Sequence, residues 1–347
     1  MKWIVSFLFA TSVCFCHELL ILSSAIIDYI VFIDDEDLEK IPGGLYGSFI
    51  IDLETFQKLT SQYHQKSPGG SGVNTAKAIA HLGRGCGLLG KCGNDADGKA
   101  CIEALRENGI TPYFQTFDSP TGRVCCLISP DGRRTMRAYF GKVSDATPIA
   151  LDRELFLEAK LIHIEGYAIR NPAFLQEVMQ LAKDTETLVS MDMGSKELVS
   201  EYCDNLLELI ENYIDIIFAN AEEAFTLTSL SPEEASISLS RKCPVVVVTD
   251  GKNGGYVAKC GCSERYYPFP ATLVDDTGAG DFFIGGFLDA YLEGKALIDC
   301  AGQGAQVASK IITVIGTELS EIGNNHQVWI DLVSEDTSDG IEGGSSG

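Results

Sequence analysis

Asp275 to Asp281 read Asp-Asp-Thr-Gly-Ala-Gly-Asp and run straight into the apolar stretch Phe282-Phe283-Ile284-Gly285-Gly286-Phe287-Leu288. A flexible turn feeding a buried helix leaves the first backbone N–H groups unpaired, pointing outward with partial positive charge. Gly278 and Gly280 let the main chain come close to an anion there. Asp281 lies in the same first turn, where the helix end keeps a carboxylate ionised. It is suited to accept a proton from a substrate hydroxyl while the amides of Gly278, Ala279 and Gly280 hold a phosphoryl group in flight. That is phosphotransferase chemistry. The same residues also make an Asp-rich N-cap on a structural helix, and the local pattern leaves both readings standing.

Other residues raise the same question. Gly69, Gly70 and Asn74 sit where a glycine-rich turn enters a helix, so hydroxyls of a small molecule could approach the backbone; an ordinary loop fits equally well. Asp28 stands in an otherwise apolar run, where an unpaired carboxylate is costly, so it needs either ligand hydroxyls or a strand-end turn as partner. Gly85 to Cys92 contains Gly-x-Gly-x-x-Gly and a near Walker A ending in Cys. Both matches read as false. A phosphate loop follows a strand and opens a helix, whereas Gly83 and Gly85 end the helix of Asn74–Leu82 and Cys86–Leu89 reads as the next strand. Cys92 also offers no hard oxygen to Mg2+.

Two long motifs in order carry a resemblance. Val274 to Gly294 resembles the C-terminal motif of the ribokinase/PfkB carbohydrate and nucleoside kinase family. Pro68 to Ala76, followed by Ala78, Leu82-Gly83 and Gly90-Lys91-Cys92-Gly93-Asn94-Asp95-Ala96-Asp97-Gly98, is similar to its N-terminal motif. The resemblance covers roughly Glu18 to Leu332. It implies transfer of the ATP γ-phosphoryl to a hydroxymethyl group of a sugar or nucleoside, fructokinase- or ribokinase-like, with an adenosine-kinase-like enzyme as the alternative. A kinase-like fold that senses a metabolite without catalysis is a more distant one. Asp281 would be the base, and Asp28, Gly69, Gly70, Asn74, Glu165 and Arg137 would contact the substrate or close over it. Asn220, Thr249, Gly251 and Gly254 would line the nucleotide site. Glu223, in an Asn-x-x-Glu element, would orient Mg2+ through water or phosphate, although Asn220 and Glu223 equally suit a capping box. Asp275 and Thr277, with the backbone near 308–316, resemble a monovalent-cation site for K+; Asp275 could instead simply cap its turn. Ser23-Ser24 departs from the glycine many relatives carry after the first strand.

The elements that must position these residues follow from patterning. Leu161–Ile164, Leu188–Met191, Ile214–Phe218 and Pro244–Thr249 read as strands. They alternate with helical stretches near Pro172–Lys183, Lys196–Asn212, Ala221–Leu227 and Glu233–Lys242, which predicts an α/β fold with a mostly parallel sheet between helical layers. Ligands in such sheets bind beyond the carboxyl ends of the strands, which puts Glu165, Asp192, Asn220 and Asp250-Gly251 on one rim. Short β-rich pieces, Ile30–Ile33, Gly47–Ile51, Pro112–Phe117, Val124–Ile128 and Thr135–Phe140, are predicted to form a separate small sheet, with turns such as Pro130-Asp131-Gly132 between them. The resemblance makes that sheet, drawn from about 29–51 and 112–140, a lid over the substrate and leaves room for a homodimer through it. His81 and His163 fall on apolar faces and read as core residues.

With 347 residues and 45% hydrophobic content the chain can bury a full core, as one kinase domain over 18–333. A formal charge of −23 without a basic cluster argues against nucleic-acid and anionic-membrane partners. The twelve cysteines form no Cys-x-x-Cys pair, and the five histidines do not lie at metal-ligand spacing with them. Free thiols in a reducing compartment and a cytoplasmic location, where ATP is, are expected. Met1-Lys2 followed by apolar Trp3–Cys16 has the shape of a secretory signal without a clean cleavage site; residues 1–17 are either a targeting segment or a start-site extension. The acidic, Gly/Ser-rich tail 334–347 is expected to be disordered.

Overall fold

The apolar run that begins at Leu19 divides between two sheets. Leu19–Leu22 (β1) is buried on both faces, as the centre of a parallel sheet requires, and Ile26–Phe32 (β2) belongs to a smaller sheet beside it. In the computed structural model, residues 17–43, 48–130, 134–144 and 149–318 are described. The segment 3–16, the tail 334–347 and Asp131-Gly132 lie outside them.

The remaining strands are Ser48–Ile50 (β3), Gln65–Gly69 (β4), Cys86–Gly93 (β5), Ile110–Phe117 (β6), Gly122–Ile128 (β7) and Arg134–Tyr139 (β8). Then come Leu161–Ile164 (β9), Leu188–Asp192 (β10), Ile216–Asn220 (β11), Val245–Thr249 (β12), Gly255–Lys259 (β13) and Cys262–Tyr266 (β14). Nine of them form one sheet in the order β14-β13-β12-β11-β10-β9-β1-β5-β6. It is parallel from β12 to β6, with the antiparallel hairpin β13–β14 at one edge. The small sheet has five strands in the order β3-β8-β7-β2-β4.

Alternation along the buried strands feeds two cores. Leu19 and Ile21 face one apolar cluster with Val73, Ile79, Phe283 and Phe287, while Leu20 and Leu22 face another with Leu175, Val178 and Leu206. Helices therefore cover both faces, giving the three-layer α/β arrangement expected from the sequence.

The strand–helix rhythm from residue 161 onward is realised with small boundary changes, except that Lys196–Asn212 is two helices, Lys196–Glu201 and Cys203–Asn212. Cys86 to Gly93 is one buried strand, so neither glycine pattern within it forms a phosphate loop. One strand was expected in the wrong sheet. Pro112–Phe117 is part of β6, which pairs with β5 at the edge of the large sheet, and β4, of which only Gly69 was read and that as part of a turn, takes a place in the small one. β6 is only partly buried, so short β-rich character did not distinguish the two sheets. Ten cysteines among the described residues are unpaired, and no helix among them is long and apolar enough to cross a membrane.

Two helices set the site. Ser71–His81 and Ala279–Leu292 approach closely because Gly285 lies against Ala78; a Cβ on Gly285 would fall 2.5 Å from the Ala78 Cβ. Their N-termini then open side by side at the carboxyl ends of the strands.

Candidate active site

Asp281 occupies the first turn of Ala279–Leu292, behind an N-cap, Gly278, with a left-handed φ of 75°. Glycine adopts that conformation freely, and a Cβ there would also press to 2.8 Å from Thr317 Cγ2. At Gly280 an added Cβ meets nothing within 4 Å, so the chain borders open space. Thr277 N donates to Asp275 Oδ1 at 2.7 Å and Ala279 N to the Asp276 carbonyl at 3.2 Å. Among the described residues the amides of Gly278, Gly280 and Asp281 have no such acceptor, which leaves three N–H groups for an anion. Of the expected trio Gly278, Ala279 and Gly280, the Ala279 amide is engaged in its own turn, while that of Asp281 is open.

The Asp281 carboxylate is held from the neighbouring helix. Ser71 Oγ donates to Oδ1 at 2.8 Å and Asn74 Nδ2 to Oδ2 at 2.9 Å. The side chain remains partly exposed, and burial pushes it up to about 7, against the pull of the Asn74 and Ser71 bonds and with help from the nearby charges of Asp192 and Glu165. A base poised there is well matched to neutral pH.

Two further carboxylates line the rim. Glu165, following β9, accepts from Ser23 Oγ at 2.6 Å and is pushed up to about 7 chiefly by burial. Ser23 thus orients it. Asp192, ending β10, accepts from Gly166 N at 3.2 Å and lies 3.4 Å from Ser71 Oγ. Beneath it His163 is fully buried, its Nδ1 3.0 Å from Ser190 Oγ and its Nε2 3.7 Å from Asp192 Oδ2. His163 is core, as its apolar face predicted.

Asp28 on β2 lies directly over Gly69, where a Cβ would fall 1.8 Å from Asp28 Oδ2. Burial pushes Asp28 up to about 6, opposed by the Lys77 cation and a hydrogen bond from the Gly70 backbone. Gly70 caps Ser71–His81 with a φ of 94°. Asn74 Oδ1 is buried without a hydrogen-bond partner among the described residues, an acceptor waiting for a donor such as a hydroxyl.

At the other end of the rim Asn220 and Glu223 make the reciprocal capping box: Glu223 N donates to Asn220 Oδ1 at 2.9 Å and Asn220 N to Glu223 Oε2 at 2.8 Å. Glu223 is buried and pushed up to about 7 by that burial. Thr249 ends β12, and Gly251 and Gly254 follow with φ of 50° and 85°. No group of three or more His, Cys, Asp or Glu among the described residues could hold a metal alone. The donors present fit Mg2+ carried mainly by phosphate and water with Glu223 at its edge, as suits an ion that dehydrates reluctantly.

Arg137 turns to the other face of β8 from Arg134. It is fully buried, with Nη1 donating to the Met136 carbonyl at 2.8 Å and its charge felt by the Cys125 thiol. Residues an odd number apart on a strand face opposite ways, and Arg134 takes the face toward the glycine corner. Its guanidinium contacts Asp275 Oδ1 at 2.5 Å, Thr277 Oγ1 at 2.6 Å and Asp276 Oδ1 at 3.0 Å. Of Arg134-Thr135-Met136-Arg137 the sequence singled out Arg137, whereas Arg134 is the one that contacts the glycine corner. It also missed the grip of Ser71 on Asp281, although Ser71 lies within the glycine motif.

A glycine corner with free amides, a carboxylate aimed across it and two glycine turns opening toward the same rim lie within a stretch that a family model matches over most of the chain. Residues 45–322 fit the pfkB family carbohydrate kinase model. The chain belongs to that family. This kinase is 28% identical to probable fructokinase-5 of Arabidopsis thaliana over 75% of its own length and 85% of the relative's. It is 27% identical to ribokinase of Haemophilus influenzae, covering 80% and 93% of the two chains. Among solved structures, adenosine kinase from Sinorhizobium meliloti superposes with a TM-score of 0.79 at 27% identity, over 87% of this chain and 96% of that one. The kinase is therefore a phosphotransferase with an alcohol acceptor, and family membership implies ATP as donor.

Proposed function

We propose that the kinase transfers the ATP γ-phosphoryl to a hydroxymethyl group of a sugar, with Asp281 as general base. The observation that carries this reading is the fixed Asp281 carboxylate, held by Ser71 and Asn74 beside the unpaired amides of Gly278, Gly280 and Asp281 itself. The acceptor hydroxyl gives its proton to Asp281 as its oxygen attacks the γ-phosphorus and ADP departs. The three amides meet the charge on the transferring group. Mg2+, when bound, neutralises phosphate charge near Glu223. Asp28, Glu165, Asp192 and the open Asn74 Oδ1 supply acceptors for a row of hydroxyls, which favours a polyol such as fructose or ribose.

A nucleoside is the second reading. Tyr167 is exposed, its phenol donating to the Gly194 carbonyl at 3.5 Å, two residues beyond Asp192, and one ring face lies under the Arg170 guanidinium at 5.2 Å, so the other aromatic face is open near the acceptor groups. Measuring ATP consumption against a panel of hexoses, pentoses and nucleosides separates the two. Turnover confined to nucleosides would overturn the sugar reading, and none with any primary alcohol would overturn both. The same reading places the enzyme in the cytoplasm with its ATP. A homodimer through the small sheet is supported by exposed Phe32, Phe49 and Ile50, and sedimentation would test it.

A further inference from the structure

We infer that Arg134 is a built-in cation for the glycine corner, standing where relatives of this chain are expected to hold K+, and that the corner binds no monovalent metal ion. The residues assigned to such an ion, Asp275 and Thr277, are already committed. Asp275 Oδ1 accepts from Thr277 N at 2.7 Å and meets Arg134 Nη2 at 2.5 Å, and Oδ2 accepts from Gly316 N at 2.8 Å. Thr277 Oγ1 accepts from Arg134 Nη1 at 2.6 Å, and the same nitrogen reaches Asp276 Oδ1 at 3.0 Å. The adjacent main chain is engaged as well: the Ile312 carbonyl takes both Val274 N at 2.8 Å and Asp275 N at 3.2 Å. A metal ion needs several oxygens with free lone pairs, and here both Asp275 oxygens, the Thr277 hydroxyl and the Ile312 carbonyl already face hydrogen-bond donors.

The charge is balanced by the same group. Asp275 is 3% exposed, so its carboxylate requires a counter-charge, and a planar guanidinium supplies one in a geometry matched to carboxylate oxygens. Unlike a dissolved ion, this one arrives on a tether. Arg134 opens β8, so the small sheet delivers the cation, and the corner is complete only while that sheet is seated.

Removing the tethered cation should create the site that the native chain lacks. The test is the unfolding midpoint of the full chain in KCl, in NaCl and in tetramethylammonium chloride at equal ionic strength. The wild type is expected to melt at the same temperature in all three. Arg134→Ala should melt lower in tetramethylammonium chloride by about 5 °C or more and recover much of that loss in KCl. Arg134→Gln, closer in shape, serves if the alanine variant does not fold. A wild-type midpoint raised selectively by K+, or folded variants indifferent to it, would overturn the inference; if neither variant folds in any salt, the wild-type comparison decides alone. The inference rests on the proposed phosphoryl corner for its meaning, but the readout is unfolding, so it stands or falls separately from the choice of acceptor.

Discussion

Contrary to the expectation that the helix end keeps it ionised, Asp281 is a carboxylate whose burial opposes its ionised form, and that has consequences for activity and for stability. As general base it must be ionised, so kcat/KM should fall below about pH 7, the value to which burial and neighbouring charge raise it. Asp281→Asn should lower kcat by about 10²–10⁴-fold and abolish that acid limb. A variant turning over at the wild-type rate would remove the base assignment. For stability the sign runs the other way. A folded-state pKa above the unfolded one means the proton is held more tightly in the native protein. The associated stability is complete below about pH 4 and is lost as pH rises through about 7. Asn cannot ionise, so Asp281→Asn should be more stable than the wild type at pH 8 by on the order of 1–3 kcal/mol, with little difference near pH 4. Chemical denaturation at the two pH values checks this. Asp281 could be singled out in the sequence only through the two long motifs together, because Gly-Ala-Gly-Asp before an apolar run equally suits an N-cap on a structural helix. Ser71 and Asp192 were harder to assign, since their roles depend on strand ends and a helix start that meet only in three dimensions.

At the scale of elements, the site exists because two helix N-termini and the end of β4 come together with almost no room for side chains. Gly69 makes the point best. A methyl group there would lie 1.8 Å from Asp28 Oδ2, and the carboxylate would have to leave its position beside the Gly70 backbone. Gly69→Ala is therefore expected to raise KM for the acceptor about 10–100-fold while changing kcat less, because in the proposed reaction Asp28 binds rather than reacts. Equal loss in kcat and kcat/KM would show that Asp28 contributes to the chemical step instead. Gly278→Ala has a different signature. A left-handed φ of 75° and a Thr317 contact of 2.8 Å would distort the corner itself, so kcat should fall with KM for the acceptor nearly unchanged. Both glycines were visible as glycines in the sequence. What each avoids was not, because the obstructing atoms come from distant segments.

Across the whole molecule, the large sheet could be read from strand–helix alternation, while the boundary between the two sheets could not. β6 shares its short, half-polar character with the strands of the small sheet, and only its parallel pairing with β5 assigns it to the large one. The seam beside it is tied by charge. Arg123 on β7 bridges Asp95 Oδ2 at 3.0 Å and Asp97 Oδ2 at 2.9 Å, and Asp97 also takes Tyr29 Oη at 3.2 Å and the Lys66 ammonium. Asp95 caps the helix Ala96–Glu107, which packs on the large sheet, whereas Arg123, Tyr29 and Lys66 all belong to the small one. The small sheet carries Asp28, Gly69 and Arg134, so its seating should govern both acceptor binding and the glycine corner. Arg123→Ala leaves two partly buried carboxylates short of a partner and should cost on the order of 1–3 kcal/mol, concentrated at this seam. In hydrogen exchange, the amides of β2, β4, β7 and β8 should lose protection while those of β9 to β12 keep theirs, and KM for the acceptor should rise. Uniform loss across both sheets would mean that they unfold as one unit, and that the seam fixes stability without controlling how the small sheet meets the site.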